Sequence, residues 1–170
     1  MHPKHLATLA LGLSLGASAA DLPKLRAGLW ELTTTSSRGQ DPAPLPMKSC
    51  VDDATQQEMM NFGQGVQRQM CTRNDIRNEG GKIVAESECK LGTTRMSSRS
   101  VTTFSGNSSY HTEVRVAYDP PLAGQKEATL TMDGRHLGAC PADMKPGDID
   151  IAGKRMNLRD MRGAMSKGAK

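Results

Sequence analysis

Four cysteines, Cys50, Cys71, Cys89 and Cys140, are the residues of this 170-residue chain whose number and spacing most restrict their chemistry. An even number of cysteines in a small secreted domain predicts disulfide bonds, and a disulfide-bonded cysteine offers no thiolate for catalysis. No two of the four are spaced as CxxC, which argues against a zinc site. We therefore predict that all four stabilise the fold.

The pairing of these cysteines stays open, because four cysteines allow three arrangements. Cys71 and Cys89 flank residues 78–81 symmetrically, and this segment has the composition of a hairpin turn. The symmetry favours a bridge between these two cysteines, which leaves Cys50 to pair with Cys140. The alternative joins Cys50 to Cys71 and Cys89 to Cys140.

The apolar pattern around the same turn indicates a different register. Placing Ile76 opposite Ile83 puts Cys71 and Cys89 one residue out of register, so that they point to opposite faces of the hairpin. A bridge between these two cysteines therefore requires a β-bulge, an extra residue in one strand, before Ile76.

Other reactive side chains are sparse. His111 and His136 fall in segments with strand character, and His111 lies on the polar face beside Glu113 and Arg115, as a solvated histidine does. The chain has no GxSxG, HExxH, P-loop or dinucleotide-binding motif. A net charge of +4 and an aromatic content of 3% do not favour nucleic-acid binding. We predict no catalytic, cofactor-binding or metal-ligating residues and no enzymatic activity.

Residues 1–20 have the form of a secretory signal. Lys4 precedes an apolar stretch at residues 6–16, and residues 17–19 (ASA) fit the small-x-small pattern that signal peptidase cleaves. The apolar stretch is too short to span a bilayer. We expect cleavage after residue 20 and a mature protein that is periplasmic or secreted, in an oxidising compartment that suits disulfide bonds.

Alternation of apolar and polar residues runs through the mature chain and predicts mainly β-structure. Trp30, the one tryptophan, is predicted to anchor the core from the first strand. The segments with strand character are residues 28–35, 47–51, 72–77, 82–91, 93–104, 110–118 and 127–132. Consecutive strands with short turns favour an antiparallel meander of about seven strands in a small barrel or sandwich, as a single domain over residues 21–153.

One short helix is predicted between the second and third strands. Thr55 and Glu58 resemble a capping box, in which two side chains bond the first free backbone N–H groups of a helix, and apolar residues follow at helical spacing. Gly63 and Gly65 are expected to end this helix early.

The basic segment 154–170 is interpreted as a solvated tail, so that cutting the chain at Gly153 should leave the domain folded. Two sharper hypotheses apply to the same segment. It could make weak contact with anionic lipid, or its residues Met156, Met161 and Met165 could hold Cu(I).

Four features together resemble a known family. They are GLWE at residues 28–31, CVDDAT at residues 50–55, the spacing of Cys71 and Cys89, and LGACPADMKPGD at residues 137–148. On these motifs the chain is similar, over nearly its whole mature length, to the exported bacterial domain-of-unknown-function family three-six-one-seven. The resemblance implies an envelope protein of a Gram-negative bacterium and carries no activity. Asp133 and Gly134 depart from the bulky residues expected in the last strand, so we expect a kink there.

The predicted inward faces of the strands favour a binding function. They combine small and flexible residues with few bulky groups, namely Thr102, Thr112, Ala128, Met132, Phe104, Tyr110 and Tyr118. A curled sheet with such a face either collapses around its methionines or leaves room for an apolar ligand. We expect a non-catalytic domain that binds an envelope partner or a small apolar molecule. The alternative is a periplasmic Cu(I) metallochaperone that uses methionines.

The cysteine count generates the first testable prediction. Protein isolated from an oxidising compartment should have no free thiol, and on the loop-entropy model the two bridges should contribute about 3 and 4.6 kcal/mol to the free energy of unfolding. Titration with a thiol reagent under denaturing conditions and peptide mapping check this. Reduction should lower the melting temperature substantially, and a Cys50–Cys71 peptide would contradict the preferred pairing.

Overall fold

The structure is a computed structural model that describes residues 22–37, 46–160 and 163. The predicted signal at residues 1–20 lies outside the described residues. So do residues 161–162 and 164–170 of the predicted tail, which include Met161 and Met165.

Within the described residues, nine strands form one open, antiparallel sheet, which confirms the predicted mainly β class. The strands are β1 Gly28–Ser36, β2 Met47–Val51, β3 Cys71–Glu79, β4 Lys82–Leu91, β5 Thr94–Ser105, β6 Ser109–Leu122, β7 Gln125–Gly138, β8 Asp148–Ile151 and β9 Lys154–Asn157. Their order across the sheet is β3-β4-β5-β6-β7-β1-β2-β8-β9. The helix α1, Asp53–Met70, packs on one face in a sandwich-like arrangement.

Two-residue turns fix the register of three hairpins. At residues 80–81, 123–124 and 152–153 both backbone φ angles are positive. This combination is the type I′ geometry, whose twist matches that of the flanking strands. Around the first of these turns Glu79 pairs with Lys82, and the rest of the β3–β4 register follows from that pair.

The predicted pairing of Ile76 with Ile83 is wrong. Ile76 stands opposite Ala85 and is 37% exposed, whereas Ile83 stands opposite Asn78 and is buried. β3 is an edge strand with mostly exposed side chains, so its one isoleucine gains little from pairing with another apolar residue. The turn geometry therefore decides the register instead of the apolar pattern.

The expected bulge before Ile76 is present. The register shifts by one residue between Cys71 and Arg73, and this shift brings Cys71 opposite Cys89. These two cysteines form one disulfide, and Cys50 and Cys140 form the other. This is the pairing that the symmetric spacing about the turn favours, and no free cysteine occurs among the described residues.

The helix begins earlier and ends later than the sequence predicts. Its N-cap is Asp52, whose carboxylate accepts a hydrogen bond of 2.7 Å from the Thr55 backbone N–H, so the predicted capping box is wrong. The helix continues through Gly63 and Gly65 to Met70. A glycine inside a helix costs up to about 1 kcal/mol, but here Cys71 follows the last helical residue directly and its disulfide anchors that end.

At Gly134, where a kink is expected, β7 pairs with β6 and β1 without a register shift, so the strand has no bulge there. The largest side chains with less than 2% exposure are Trp30, Val84, Thr55 and Cys50. Trp30 lies on the sheet face that α1 covers, whereas the strand register puts Val84 and Cys50 on the opposite face. The predicted core role of Trp30 is therefore confirmed.

The folded domain extends past the predicted boundary at Gly153. β9 pairs with β8 over residues 154–157, and Leu158 is 7% exposed. The interpretation of residues 154–170 as a wholly solvated tail is wrong for this first part, because a four-residue strand that begins with two charged residues shows no apolar pattern in the sequence.

Asp148 holds this C-terminal hairpin in place. Its carboxylate accepts hydrogen bonds of 2.8 Å from the Lys145 backbone N–H and from the Asn157 side-chain amide. These bonds hold the pKa of Asp148 below its usual value, and the bond from the Lys145 backbone has the larger effect. The backbone N–H of Gly147 also donates to the carbonyl of Cys50. The segment at residues 137–148 therefore contributes to the stability of the fold.

Truncation tests the corrected boundary. A chain that ends at Gly153 loses β9, the buried Leu158 and the bond from Asn157 to Asp148, so its free energy of unfolding should fall by about 3 kcal/mol or more. A chain that ends at Asp160 keeps these contacts and should lose much less. Denaturant unfolding of both proteins measures the difference. Equal stability of the two truncated proteins would contradict the structure.

Candidate functional site

An aromatic cluster marks the most closely packed part of the sheet face that α1 covers. Trp30 is 1% exposed, and its indole N–H donates a hydrogen bond of 2.8 Å to the carbonyl of Arg26. Its ring stacks on Tyr110 at 5.9 Å between centroids and meets His136 edge-on at 5.8 Å. Burial raises the pKa of Tyr110, so its hydroxyl stays neutral.

Gly134 makes the stacking of Trp30 on Tyr110 possible. The two aromatic residues lie on β1 and β6, and β7 runs between these strands. Tyr110 stands directly opposite Gly134, and a Cβ atom at that position would overlap the tyrosine ring. The ring therefore lies over the bare backbone of β7 and reaches across to the next strand.

An apolar cavity of about 270 Å³ lies between this cluster and the helix. The sheet supplies most of its wall, through Trp30, Leu32, Met47, Ser49, Val51, Thr102, Phe104, Tyr110, Thr112 and Ile149. The helix adds Gln56, Met59 and Met60, and the segment before β1 adds Leu22, Pro23 and Leu25. Among the described residues, none of those that line the cavity has a charged side chain.

The segment before β1 is tied to the helix by polar contacts. The Leu25 backbone N–H donates to the side-chain carbonyl of Gln56 at 3.2 Å, and Lys24 forms an ion pair of 2.6 Å with Asp53. The Arg26 backbone N–H donates to the carbonyl of Asn107. These bonds hold three apolar residues of the segment against the end of the cavity.

The helix side of the cavity is loosely packed. Thr55 is the one helical residue that is buried, and Met59, which lines the cavity, is 39% exposed. At its first turns the helix is held by Glu58, which pairs with Arg159 at 3.1 Å, and at its far end by the Cys71 disulfide. The helix is thus fixed near its ends and covers the sheet incompletely between them.

The hydroxyl groups on the cavity wall differ in how they are bonded. Thr102 and Thr112 bond to each other at 2.9 Å. The Oγ atom of Ser49 is fully buried and has no hydrogen-bond partner among the described residues, although Ser49 itself is only 3% exposed. Ser49 is therefore a buried polar group in a mainly apolar wall, and no hydrogen bond offsets its loss of hydration.

His111 lies on the opposite face of the sheet from the cavity, as the alternation predicts. Its Nδ1 lies 2.7 Å from an Asp133 carboxylate oxygen, and this hydrogen bond raises the pKa of His111. Its Nε2 faces Glu113 at 3.8 Å. Both ring nitrogens thus face carboxylates on an exposed surface. Neither partner is a hydroxyl or thiol group that the histidine could activate as a nucleophile.

Three other grooves of the described surface contain charged side chains. One, of about 650 Å³, surrounds His111 and Asp133. Another, of about 400 Å³ on the outer face near β4, contains Glu86, which accepts hydrogen bonds from Arg77 and Arg99. The bond from Arg77 is the main cause of the lowered pKa of Glu86. Its charges largely neutralise one another in solvent, where such pairs contribute little.

No cluster of three His, Cys, Asp or Glu residues that could hold a metal occurs in the described part of the chain. Of the tail methionines proposed for Cu(I), only Met156 is described, and it is 38% exposed. The structure instead brings Met47, Met59 and Met60 to the cavity wall.

The sequence located part of this wall. Thr102, Thr112, Phe104 and Tyr110 line the cavity, whereas Tyr118, Ala128 and Met132 share the same sheet face but lie outside it. Ser49 and the segment from Leu22 to Leu25 were missed. Apolar residues directly after a predicted signal were the available clue to that segment, whereas nothing in the sequence distinguishes Ser49.

These observations define a disulfide-bonded, antiparallel β-protein with one apolar cavity of substantial size beneath its helix in the described residues. The chain belongs to the family described as "Protein of unknown function (DUF3617)", whose profile matches residues 25–140. No curated protein and no solved structure matches the chain. Within the described residues, no helix is long and apolar enough to cross a membrane.

The contact between Tyr110 and Gly134 generates a prediction. Gly134→Ala inserts a methyl group where the ring lies, so the free energy of unfolding should fall by about 2 kcal/mol and the Trp30 fluorescence should change. Gly63→Ala is the matched control, because its methyl group meets nothing within 4 Å and a helical alanine is favoured. Denaturant unfolding measures both. A Gly134→Ala protein as stable as the control would contradict the packing described.

Proposed function

We propose that this protein is a non-catalytic binding protein of the bacterial envelope that holds a small apolar molecule between α1 and the sheet. The observation that carries the proposal is the cavity of about 270 Å³ whose wall includes Trp30, Leu32, Phe104 and Ile149. Burial of apolar ligand surface against such a wall supplies the free energy of binding.

The size of the cavity favours a small ligand. An engineered apolar cavity of about 150 Å³ binds benzene, and most ligand pockets of proteins are about 300 Å³ or more. A volume of about 270 Å³ therefore suits a molecule of one or two fused rings or a short branched chain. Exposure of Met59 at the helix side offers a route of entry.

The proposed location outside the cytoplasm rests on the signal-like residues 1–20 and is compatible with the two disulfides. Disulfides persist in oxidising compartments and are rare in the cytoplasm of most bacteria. We propose no cofactor and no catalytic residue. A weak contact of the basic C-terminal segment with anionic lipid remains a separate hypothesis.

A second candidate function is favoured by the three methionines on the wall. Thioether sulfur is a soft ligand that suits Cu(I), and Met47, Met59 and Met60 line one cavity. The same residues also serve an apolar ligand, because methionine is flexible and adapts to irregular shapes. The two candidates differ in what replacement by leucine does, since leucine keeps the apolar wall and removes the sulfur.

Titration with naphthalene tests the proposed function. The methyl NMR signals of the cavity methionines should shift with saturable, one-to-one behaviour. Met60→Trp fills the cavity from the helix and should weaken binding by about tenfold or more. Val66→Trp is the matched control on the same helix, since Val66 is exposed and does not line the cavity. Absence of saturable binding, or equal binding by both variants, would contradict the proposal.

A triple variant with leucine at positions 47, 59 and 60 separates the two candidates. It should still bind naphthalene, which can be followed by calorimetry. If the unmodified protein also competes with a chelator for Cu(I) and the triple variant does not, the copper hypothesis gains support. If neither protein retains Cu(I), that hypothesis is excluded for these residues.

A further inference from the structure

We infer that the ligand is a neutral, largely apolar molecule with a single hydroxyl or carbonyl oxygen, and that the hydroxyl of Ser49 bonds this oxygen. The inference rests on the proposed function and names the chemical class that the cavity selects. Ser49 is thereby the specificity-determining polar residue of the site.

Ser49 sits in the middle of the cavity wall. It lies on β2, with Trp30 directly beside it on β1 and Ile149 directly beside it on β8. All three side chains line the cavity, so the serine is flanked by apolar neighbours on both sides. Its hydroxyl turns about one side-chain bond, which gives it staggered positions from which to meet a ligand.

The lack of a partner for Ser49 Oγ is the observation that indicates a ligand. A buried hydroxyl without a hydrogen bond destabilises the folded state, so buried polar side chains almost always have a partner. The other fully buried side-chain hydroxyl of this kind belongs to Thr55, which does not line the cavity. Among the fully buried hydroxyls, Ser49 alone therefore combines an unmet hydrogen bond with a position on the wall.

Three other polar side chains of the wall have partners. Thr102 and Thr112 bond to each other, and the Gln56 side-chain carbonyl accepts from the Leu25 backbone N–H. A ligand oxygen that bonds to Ser49 therefore breaks no existing bond. A second polar group on the ligand would have to displace one of these bonds or bond to the hydroxyl of Tyr110, which also lines the cavity.

The absence of charge on the wall sets the charge of the ligand. The described lining residues include no lysine, arginine, histidine, aspartate or glutamate. Moving a carboxylate or an ammonium group from water to such a wall is strongly unfavourable without a paired charge. The cavity therefore favours an alcohol, a phenol, an aldehyde or a ketone over a fatty acid or an amine.

Three probes with one ring system test the inference at neutral pH, namely naphthalene, 2-naphthol and 2-naphthoate. We expect the unmodified protein to bind 2-naphthol and naphthalene and to bind 2-naphthoate much more weakly. In Ser49→Ala the ratio of the 2-naphthol affinity to the naphthalene affinity should fall by roughly three- to tenfold. Ser49→Thr keeps a hydroxyl and should restore the ratio.

Ser98→Ala is the matched control, because Ser98 lies on the same sheet face outside the cavity and bonds to Ser87 at 2.7 Å. Its affinity ratio should equal that of the unmodified protein. Thermal unfolding without ligand provides a second measurement: Ser49→Ala should be at least as stable as the unmodified protein, because it removes an unpaired hydroxyl, whereas Ser98→Ala should lose stability.

The outcomes separate the two proposals. If none of the probes binds, the proposed function fails. If naphthalene binds but Ser49→Ala leaves the affinity ratio unchanged, the apolar cavity stands and the role of Ser49 is overturned. Marked loss of stability in ligand-free Ser49→Ala would also overturn it, since the hydroxyl would then have a partner within the protein. Tight binding of 2-naphthoate would refute the neutral ligand class.

Discussion

The ring of Tyr110 reaches Trp30 across β7 because position 134 has no side chain. This contact joins three strands on the face that α1 covers and fixes the floor of the cavity. Aromatic side chains are scarce in this chain, so the few present must cover more than one strand each. A glycine that would weaken an ordinary strand thus becomes the residue on which the packing of the face depends.

The cavity follows from how the helix is attached. A helix that packs along its length buries an apolar stripe, but in α1 only Thr55 is buried. The helix stays in place mainly because its last residue precedes a disulfide-bonded cysteine, and the partly exposed ion pairs of its first turns with Lys24 and Arg159 add a smaller contribution. Attachment near the ends replaces packing between them, and the space that remains is available to a ligand.

The predictable parts of the fold were those that a local pattern determines. The half-buried strands show alternation, so their existence and face assignment follow from residues such as Tyr110, Thr112 and Phe104. The register of β3 with β4 was harder to predict, because the geometry of the turn at residues 80–81 determines it and not the pairing of two isoleucines. The strands β8 and β9 are only four residues long, so even the alternation of β8 is too short to distinguish a strand from a loop. The unmet bond of Ser49 depends on its surroundings in three dimensions, which no spacing in the sequence encodes.

An open sheet leaves two edge strands with unpaired backbone groups, and exposed edges invite association between molecules. In β3 the bulge after Cys71 interrupts the regular ladder, and the charged residues Arg73, Asp75 and Arg77 project from its outer face. At the other edge β9 is only four residues long and begins with Lys154 and Arg155. Both edges thus disfavour the addition of a strand from another molecule, so a sheet that never closes into a barrel can remain resistant to aggregation at high concentration.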